Sequence, residues 1–357
     1  MRYIPANCLR PGQILASDLV MEGYKVLLRR GVSLTEVLIK RIEQIGFQGV
    51  YVVDNLSKDL EVFSVISDTL KHKAKREIQS LYISIKNRTE TRARSQLNII
   101  GTVITDMVDE ILSNRKLMVN VVDLRTFDDY TFSHSVNVAV LSVVTGSVMG
   151  LNRTKLNELA LGALIHDIGK VFIDRRIINK PGLLTPDELQ EVRRHSELGH
   201  NHLRIHSKVP ESALMAVLTH HEQFCGTGYP KGLMGETIPL FGRIICVADV
   251  YDALTSDRPY RKAMLPSDAI EYIMGGFGTT FDPKVVKAFC RKVAPYPVGT
   301  CVRLSNGLIG IVTKNYELSS MRPVIRVIVD GQPSDQYLDL ANDTSTLNIT
   351  IQEIIQL

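Results

Sequence analysis

Eight of the nine histidines in this 357-residue chain fall between positions 134 and 221. His134 sits in YTFSHSVNV, His166 and Asp167 in ALIHDIGKV, His195 in RRHSELGH, and His220 and His221 in LTHHEQF; Asp249 follows in CVADVYDAL. Each lies in or beside an apolar helical pattern, where an unpaired imidazole or carboxylate costs several kcal/mol of desolvation. Five imidazoles and two carboxylates from four or five helices are compensated if they converge on metal inside a bundle. Imidazole and carboxylate without thiolate suit Fe, Mn, Zn, Co or Ni. Seven donors exceed what one tetrahedral ion takes, so two ions are expected, with Asp167 as the bridge because it follows a ligand histidine and has two oxygens to share. Two divalent cations, two aspartates and a hydroxide leave roughly +1 at the centre, which attracts an anion. Ions about 3.5–4 Å apart would hold a hydroxide in line with phosphorus and stabilise the leaving oxygen, the requirements of phosphoester hydrolysis. Lys170, one turn beyond His166, is placed to meet a phosphate oxygen, or else to complement a helix dipole. His200, His202 and His206 share the His195 helix without any surrounding motif and read as surface or packing residues.

The elements that must position these groups are mainly α-helical, with a small α/β module in front and a small β segment behind. With 45% hydrophobic residues the chain can bury a sizeable core. The net charge of +4, from 42 basic and 38 acidic residues, is too small for a nucleic-acid coat or a polybasic membrane anchor. No nucleic-acid polymer is expected as a partner. Five cysteines, at 8, 225, 246, 290 and 301, lack CxxC spacing, so a reducing cytoplasm is expected rather than a disulfide framework or a thiolate zinc site. The start, MRYIPANCLRPG, has no apolar signal core. The longest apolar stretch, about 138–151, is interrupted by Ser142, Thr145, Gly146 and Ser147 and falls short of the ~20 residues a bilayer needs. A cytoplasmic protein without a membrane span is the expectation.

Residues 1–62 read as the α/β domain: a strand at 24–28, a capping box at Ser33 and Glu36, Leu34, Leu38, Ile42 and Ile45 at helical period, Gly46 as a left-handed exit, and a strand at 50–53. Residues 63–118 read as a helical connector with Ile78, Leu81, Tyr82 and Ile85, then Leu97, Ile100, Ile104, Val108 and Ile111, on its buried faces. Eight Lys or Arg against two Glu between 71 and 94 form a solvated helix face or a dock for an acidic partner. Residues 119–294 are helical, punctuated by Thr185-Pro-Asp-Glu188 and Asp282-Pro283. Residues 295–357 shift to short β-type runs separated by Asn-Gly and Asp-Gly, a small antiparallel sheet or barrel.

HDIGK, HHEQFCGTGYP and VADVYDALTSDRPYR, in that order within about 119–294, resemble the HD-GYP subgroup of the HD phosphohydrolases. These are bacterial phosphodiesterases of signal transduction that hydrolyse cyclic di-GMP and, in some members, related cyclic dinucleotides. LRPGQILASDLV and LLRRGVSL are similar to the small domain often found ahead of them. The resemblance implies an HD-type helical bundle and a binuclear centre of His134, His166, Asp167, His195, His220, His221 and Asp249, with iron or manganese as the metal. In trinuclear members a glutamate four residues before the first ligand histidine helps hold a third ion; Tyr130 stands there, which implies two. Asp167 and Lys170 would be the catalytic groups, and Gly228, Tyr229 and Pro230 the loop beside the substrate. Lys170, Arg258 and Arg261 match positions that contact phosphate or guanine. Asp252 would orient a ligand or the substrate, or pair with Arg258 or Arg261.

One departure is Cys225, which stands where the subgroup's HHExxDGxGYP pattern has aspartate. It is either a silent exchange or a change that loosens the loop. Three functions therefore stay open: hydrolysis of cyclic di-GMP to linear pGpG, with GMP as a further product, by a metal-bound hydroxide; a weak or inactive module that binds a cyclic dinucleotide or a protein; and an HD phosphohydrolase of another cyclic dinucleotide or nucleotide. Signalling proteins docking at the GYP loop or the N-terminal domain, and a homodimer, are compatible with each.

Overall fold

The structure, a computed structural model, describes all residues except 22–25, 46, 48, 62–63, 115–116, 121–129 and 257–262. It divides into two compact units, one of Met1–Ser64, Met118–Tyr130 and Val293–Leu357, the other of Val65–Leu117 and Thr131–Lys292.

The first unit begins with β1 (Arg2–Pro5), β2 (Ile14–Leu15), β3 (Leu19–Val20), β4 (Val26–Leu28), α1 (Glu36–Ile45) and β5 (Gly49–Val53). A three-stranded antiparallel sheet runs β1-β5-β2, and β3 pairs with β4. Ile39 and Ile42 of α1 pack with Ile4, Leu15, Val50 and Val52. The capping box expected at Ser33 and Glu36 does not form. Ser33 bridges to Ile14, and Leu34 donates its N–H to the Gln13 carbonyl at 2.7 Å, which keeps both residues extended. The cap moves to Thr35, whose Oγ1 accepts the Leu38 N–H. The expected Gly46 exit lies outside the described residues.

The C-terminal strands β6 (Cys301–Leu304), β7 (Ile309–Lys314), β8 (Val324–Val329), β9 (Gln332–Asp339) and β10 (Ile351–Ile354) form an antiparallel sheet in the order β10-β6-β7-β8-β9. Asp330 and Gly331, with φ of 49° and 73°, turn β8 into β9 as an Asp-Gly pair does in a tight hairpin. Arg2 joins the two ends of this unit: its guanidinium donates to Asp54, to Cys301 Sγ and to the Leu357 carbonyl. The terminal segments thus share one compact unit.

The second unit contains α2 (Asp68–Lys86), α3 (Glu90–Ser113), α4 (Tyr130–Val148), α5 (Arg153–Ile165), α6 (Arg175–Ile178), α7 (Pro186–Arg193), α8 (His195–His206), α9 (Glu211–Thr219), α10 (Leu240–Thr255), α11 (Pro266–Gly275) and α12 (Pro283–Lys292). Helices α2 and α3 form a hairpin, α3 packs on α5, and α9 packs on α5, α8 and α10. The stretch read as a connector is therefore part of the helical unit. Of the eight basic residues between 71 and 94, Lys71 is bonded there to Asp68, Lys73 to Asp106, Arg76 to Glu77, and Arg94 to the His206 carbonyl. Thr185 and Glu188 form the expected capping box, and Asp282 accepts the Lys284 N–H at the start of α12. Among the described residues no helix is long and apolar enough to cross a membrane.

Candidate metal centre

Three helix ends and two helix interiors meet at one place. His166 caps α5 and Asp167 follows it, entering a 3-10 turn over Ile168–Phe172. His195 opens α8, His220 caps α9 with His221 next, His134 lies on α4, and Asp249 and Asp252 lie on α10. Gly169 lets the 3-10 turn press on α8: a Cβ there would stand 1.9 Å from the His195 carbonyl oxygen and 2.6 Å from the Gly199 nitrogen.

The rings are aimed by their outer nitrogens. His166, His195 and His220 each place Nδ1 2.7–2.8 Å from a carbonyl three residues earlier, those of Ala163, Val192 and Val217. A carbonyl only accepts, so Nδ1 carries the proton and Nε2 presents a lone pair inward. The Nε2 atoms of His195 and His220 then face each other at 3.2 Å with no proton to share. His134 is aimed differently: its Nδ1 meets Asp252 Oδ2 at 2.7 Å and its Nε2 meets Asp249 Oδ1 at 3.1 Å.

Two sets of donor atoms result, each within 4.8 Å of one another: Asp167, His195, His220 and His221 in one, His134, His166 and Asp167 in the other. Asp167 belongs to both. Its Oδ1 is 3.3 Å from His195 Nε2 and its Oδ2 3.4 Å from His166 Nε2. Asp167 Oδ1 and His166 Nε2 are buried with no hydrogen-bond partner. Asp249 lies beside both sets, 3.9 Å from His221 Nδ1 as well as touching His134. Buried lone pairs facing lone pairs, with orphaned acceptors between them, fit a cation; this donor set could bind metal.

Charge follows from the same geometry. Burial opposes ionisation of Asp167 and Asp249, yet Lys170 and His166 beside the first, and His134 beside the second, hold both carboxyls below the usual range. Burial pushes His220 well below its ordinary value and His221 down to about 3, and it lowers His195 too. It works against a charge on His134 as well, but bonds to Asp249 and Asp252 raise that imidazole to about 9. In metal-free protein at pH 7, His134 is therefore protonated while His195, His220 and His221 are neutral. Its contribution to stability is full below about 6.5 and disappears as pH rises through about 9, whereas the three depressed imidazoles cost stability as pH falls below about 6.5. Uptake of divalent metal at pH 7 should release about one proton, read from the dependence of binding enthalpy on buffer ionisation. Uptake without proton release would contradict this assignment.

The loop bearing Gly228, Tyr229 and Pro230 closes one side. Tyr229 stacks on His221 with ring centroids 4.7 Å apart. A Cβ on Gly228 would lie 2.2 Å from the Gln223 nitrogen, so only glycine lets the loop double back on the residues after His221. Glu222, missed in the sequence, is buried and accepts the N–H groups of Lys231 and Leu233 at 2.7 and 3.0 Å, stapling the loop. Its signal was an acidic residue directly after His220-His221 with no solvent-facing pattern around it. Cys225 is exposed, its Sγ 3.1 Å from Thr227 Oγ1, while its N–H donates to the Thr279 carbonyl at 2.7 Å. Backbone bonds and Glu222 hold the loop in this conformation with cysteine at that position.

Lys170 donates to Asp167 and remains partly exposed. Asp252 is buried behind His134, with Asn137 donating to its Oδ1 at 2.9 Å. Asn137 gave no signal in the sequence beyond its polarity on an apolar helix. Arg258 and Arg261 lie outside the described residues, and the pairings expected of them lie there too. His202 packs on Phe172 and His206, His206 bonds Glu90, and His200 contacts Asn201; none of the three joins either donor set. Tyr82 of α2 also reaches this region: burial, then the charge of Asp167, push its phenol well above the ordinary value.

The HD domain family model matches residues 107–285. The protein named cyclic di-GMP phosphodiesterase PA4108, from Pseudomonas aeruginosa, is 40% identical over 250 residues, covering 68% of this chain and 60% of that one. The cyclic di-GMP phosphodiesterase response regulator RpfG, from Xanthomonas campestris, is 39% identical over 155 residues, covering 42% of this chain and 41% of that one. The chain thus spans about 60% and 41% of the lengths of these relatives. Among solved structures, Bd1817, an HDG"Y"P protein from Bdellovibrio bacteriovorus, aligns with a TM-score of 0.53 at 19% identity over 80% of this chain and 97% of that one, a likeness of fold.

Proposed function

Because the chain belongs to the HD domain family, we propose that it hydrolyses cyclic di-GMP to linear pGpG, with GMP as a further product, at a centre of two divalent ions. His134, His166, Asp167, His195, His220, His221 and Asp249 would hold them. The observation that carries this reading is Asp167, whose two oxygens serve two donor sets while one of them and His166 Nε2 lack any partner. When bound, the ions supply Lewis acidity toward the phosphoryl oxygens and a nucleophile drawn from water at neutral pH.

The chain's own residues do the rest. Lys170 neutralises Asp167 and offers its exposed side to a phosphate oxygen. Asp252, itself fixed by Asn137, keeps the His134 ring turned inward. Tyr229 covers His221 and Glu222 keeps that cover in place. The imidazole and carboxylate donors suit iron or manganese, the metals the resemblance implies, as well as zinc, cobalt or nickel; the nearby Cys246 thiol, pushed up to about 12 by burial, stays neutral and supplies no thiolate. The substrate is supported by the two relatives, both named for cyclic di-GMP.

Protein purified without oxygen is expected to carry about two iron or manganese ions per chain and to convert cyclic di-GMP to pGpG. Metal-loaded protein that binds the nucleotide and never cleaves it would overturn the hydrolase reading in favour of a binding module.

A further inference from the structure

The rim of the metal centre carries a cation that the reading above leaves unused. Arg193 ends α7, two residues before His195, and its side chain is exposed. Its guanidinium carbon lies 5.2 Å from the centroid of the Tyr229 ring, the same ring that stacks on His221. The Tyr229 ring thus touches both the guanidinium and a ring of the donor cluster. Of the neighbouring cations, Arg194 pairs with Glu191 and Lys231 lies toward Glu197, while Lys170 is already assigned to the reacting phosphate. Among the described residues, no carboxylate and no carbonyl takes a hydrogen bond from the Arg193 guanidinium.

A guanidinium resting on an aromatic face is held in place while its N–H fork stays available, and that fork matches two oxygens of one phosphate. We propose that Arg193 is a substrate-recognition residue that binds, beside Tyr229, the phosphodiester of the cyclic dinucleotide that is not being cleaved. The inference deepens the functional reading above and rests on it. A cyclic dinucleotide holds two phosphodiesters in one macrocycle, so with one at the Asp167 cluster the other projects a fixed distance toward the rim. From the His221 ring to the guanidinium is no farther than the two ring spacings end to end, a separation such a ligand can bridge. Lys170 serves the reacting phosphate and Arg193 the other one. A simple phosphodiester engages only the first.

The test uses full-length, metal-loaded protein and the variants Arg193→Ala and Arg193→Lys. Their kinetics are compared on cyclic di-GMP and on bis(p-nitrophenyl) phosphate, which has a single phosphodiester. Arg193→Ala should raise KM for cyclic di-GMP about tenfold, so that kcat/KM falls about tenfold further for the dinucleotide than for the simple ester, with metal content kept. Arg193→Lys should recover part of that difference by supplying charge without the fork. An unchanged KM overturns the proposal. So does an equal loss on both substrates with loss of metal, which would mean that Arg193 only props Tyr229 and His221. If the wild-type protein fails to cleave cyclic di-GMP, the hydrolase reading falls separately, and Arg193 is judged by the equilibrium Kd for that nucleotide. Equal Kd values for wild type and Arg193→Ala, or no binding by either, also overturn it.

Discussion

Asp167→Ala is expected to lower turnover of cyclic di-GMP by about a thousandfold or more and to drop bound metal from about two ions per chain to one or none. The size of the effect follows from position. Among the described carboxylates Asp167 alone lies in both donor sets, with one oxygen toward His195 and the other toward His166. Removing it takes a donor from each set and leaves the partly exposed Lys170 without its partner. Asp167→Asn keeps the shape and loses the charge, so it should retain more metal than the alanine variant and little activity. His202→Ala is the matching control, since that ring packs on Phe172 and His206 away from the cluster. Metal analysis and product chromatography read both outcomes. An alanine variant with full metal and normal turnover would dismantle the proposed centre.

Gly169→Ala should be the most damaging single methyl group in the helical unit. The new Cβ would meet three backbone atoms, the His195 carbonyl oxygen at 1.9 Å, the Gly199 nitrogen at 2.6 Å and the His195 carbonyl carbon at 2.8 Å. No rotamer relieves a backbone clash, so the 3-10 turn and the start of α8 must separate, at a cost on the order of 3 kcal/mol. A melting temperature lower by roughly 6–12 °C is expected for a unit of this size. Metal affinity should fall with it, because the displaced carbonyl belongs to His195. Gly199→Ala, with its closest contact at 3.0 Å, should be milder. Equal melting temperatures for wild type and Gly169→Ala would show that the turn yields freely.

How much of this was legible beforehand depends on the range of the interaction. Thr185 and Glu188 form the cap their spacing suggests, because a capping box is closed within four residues. The helical unit was legible from periodicity, and so was the list of residues now found around Asp167, since buried imidazoles in apolar helices demand a reason. The Ser33 cap failed because a distant pairing, Leu34 with Gln13, holds the chain extended where local spacing favours a helix start. The sequence reading left Asp252 with two roles; its place behind His134 depends on how α4 and α10 face each other, which no spacing along one helix reports. Glu222 and Asn137 went unread for the same reason, their partners lying 9 to 11 and 115 residues away in sequence. The sharing of one unit by the two terminal segments, through Arg2, is likewise a matter of tertiary contact.

The three imidazoles tied to carbonyls three residues back take their aim from their own helix ends. Such rings owe little to the apolar neighbours around them. Exchanges among Leu, Ile and Val in the surrounding core can accumulate over generations while these three inward nitrogens keep their bearing, provided that the turns that end α5 and α9 and begin α8 are kept.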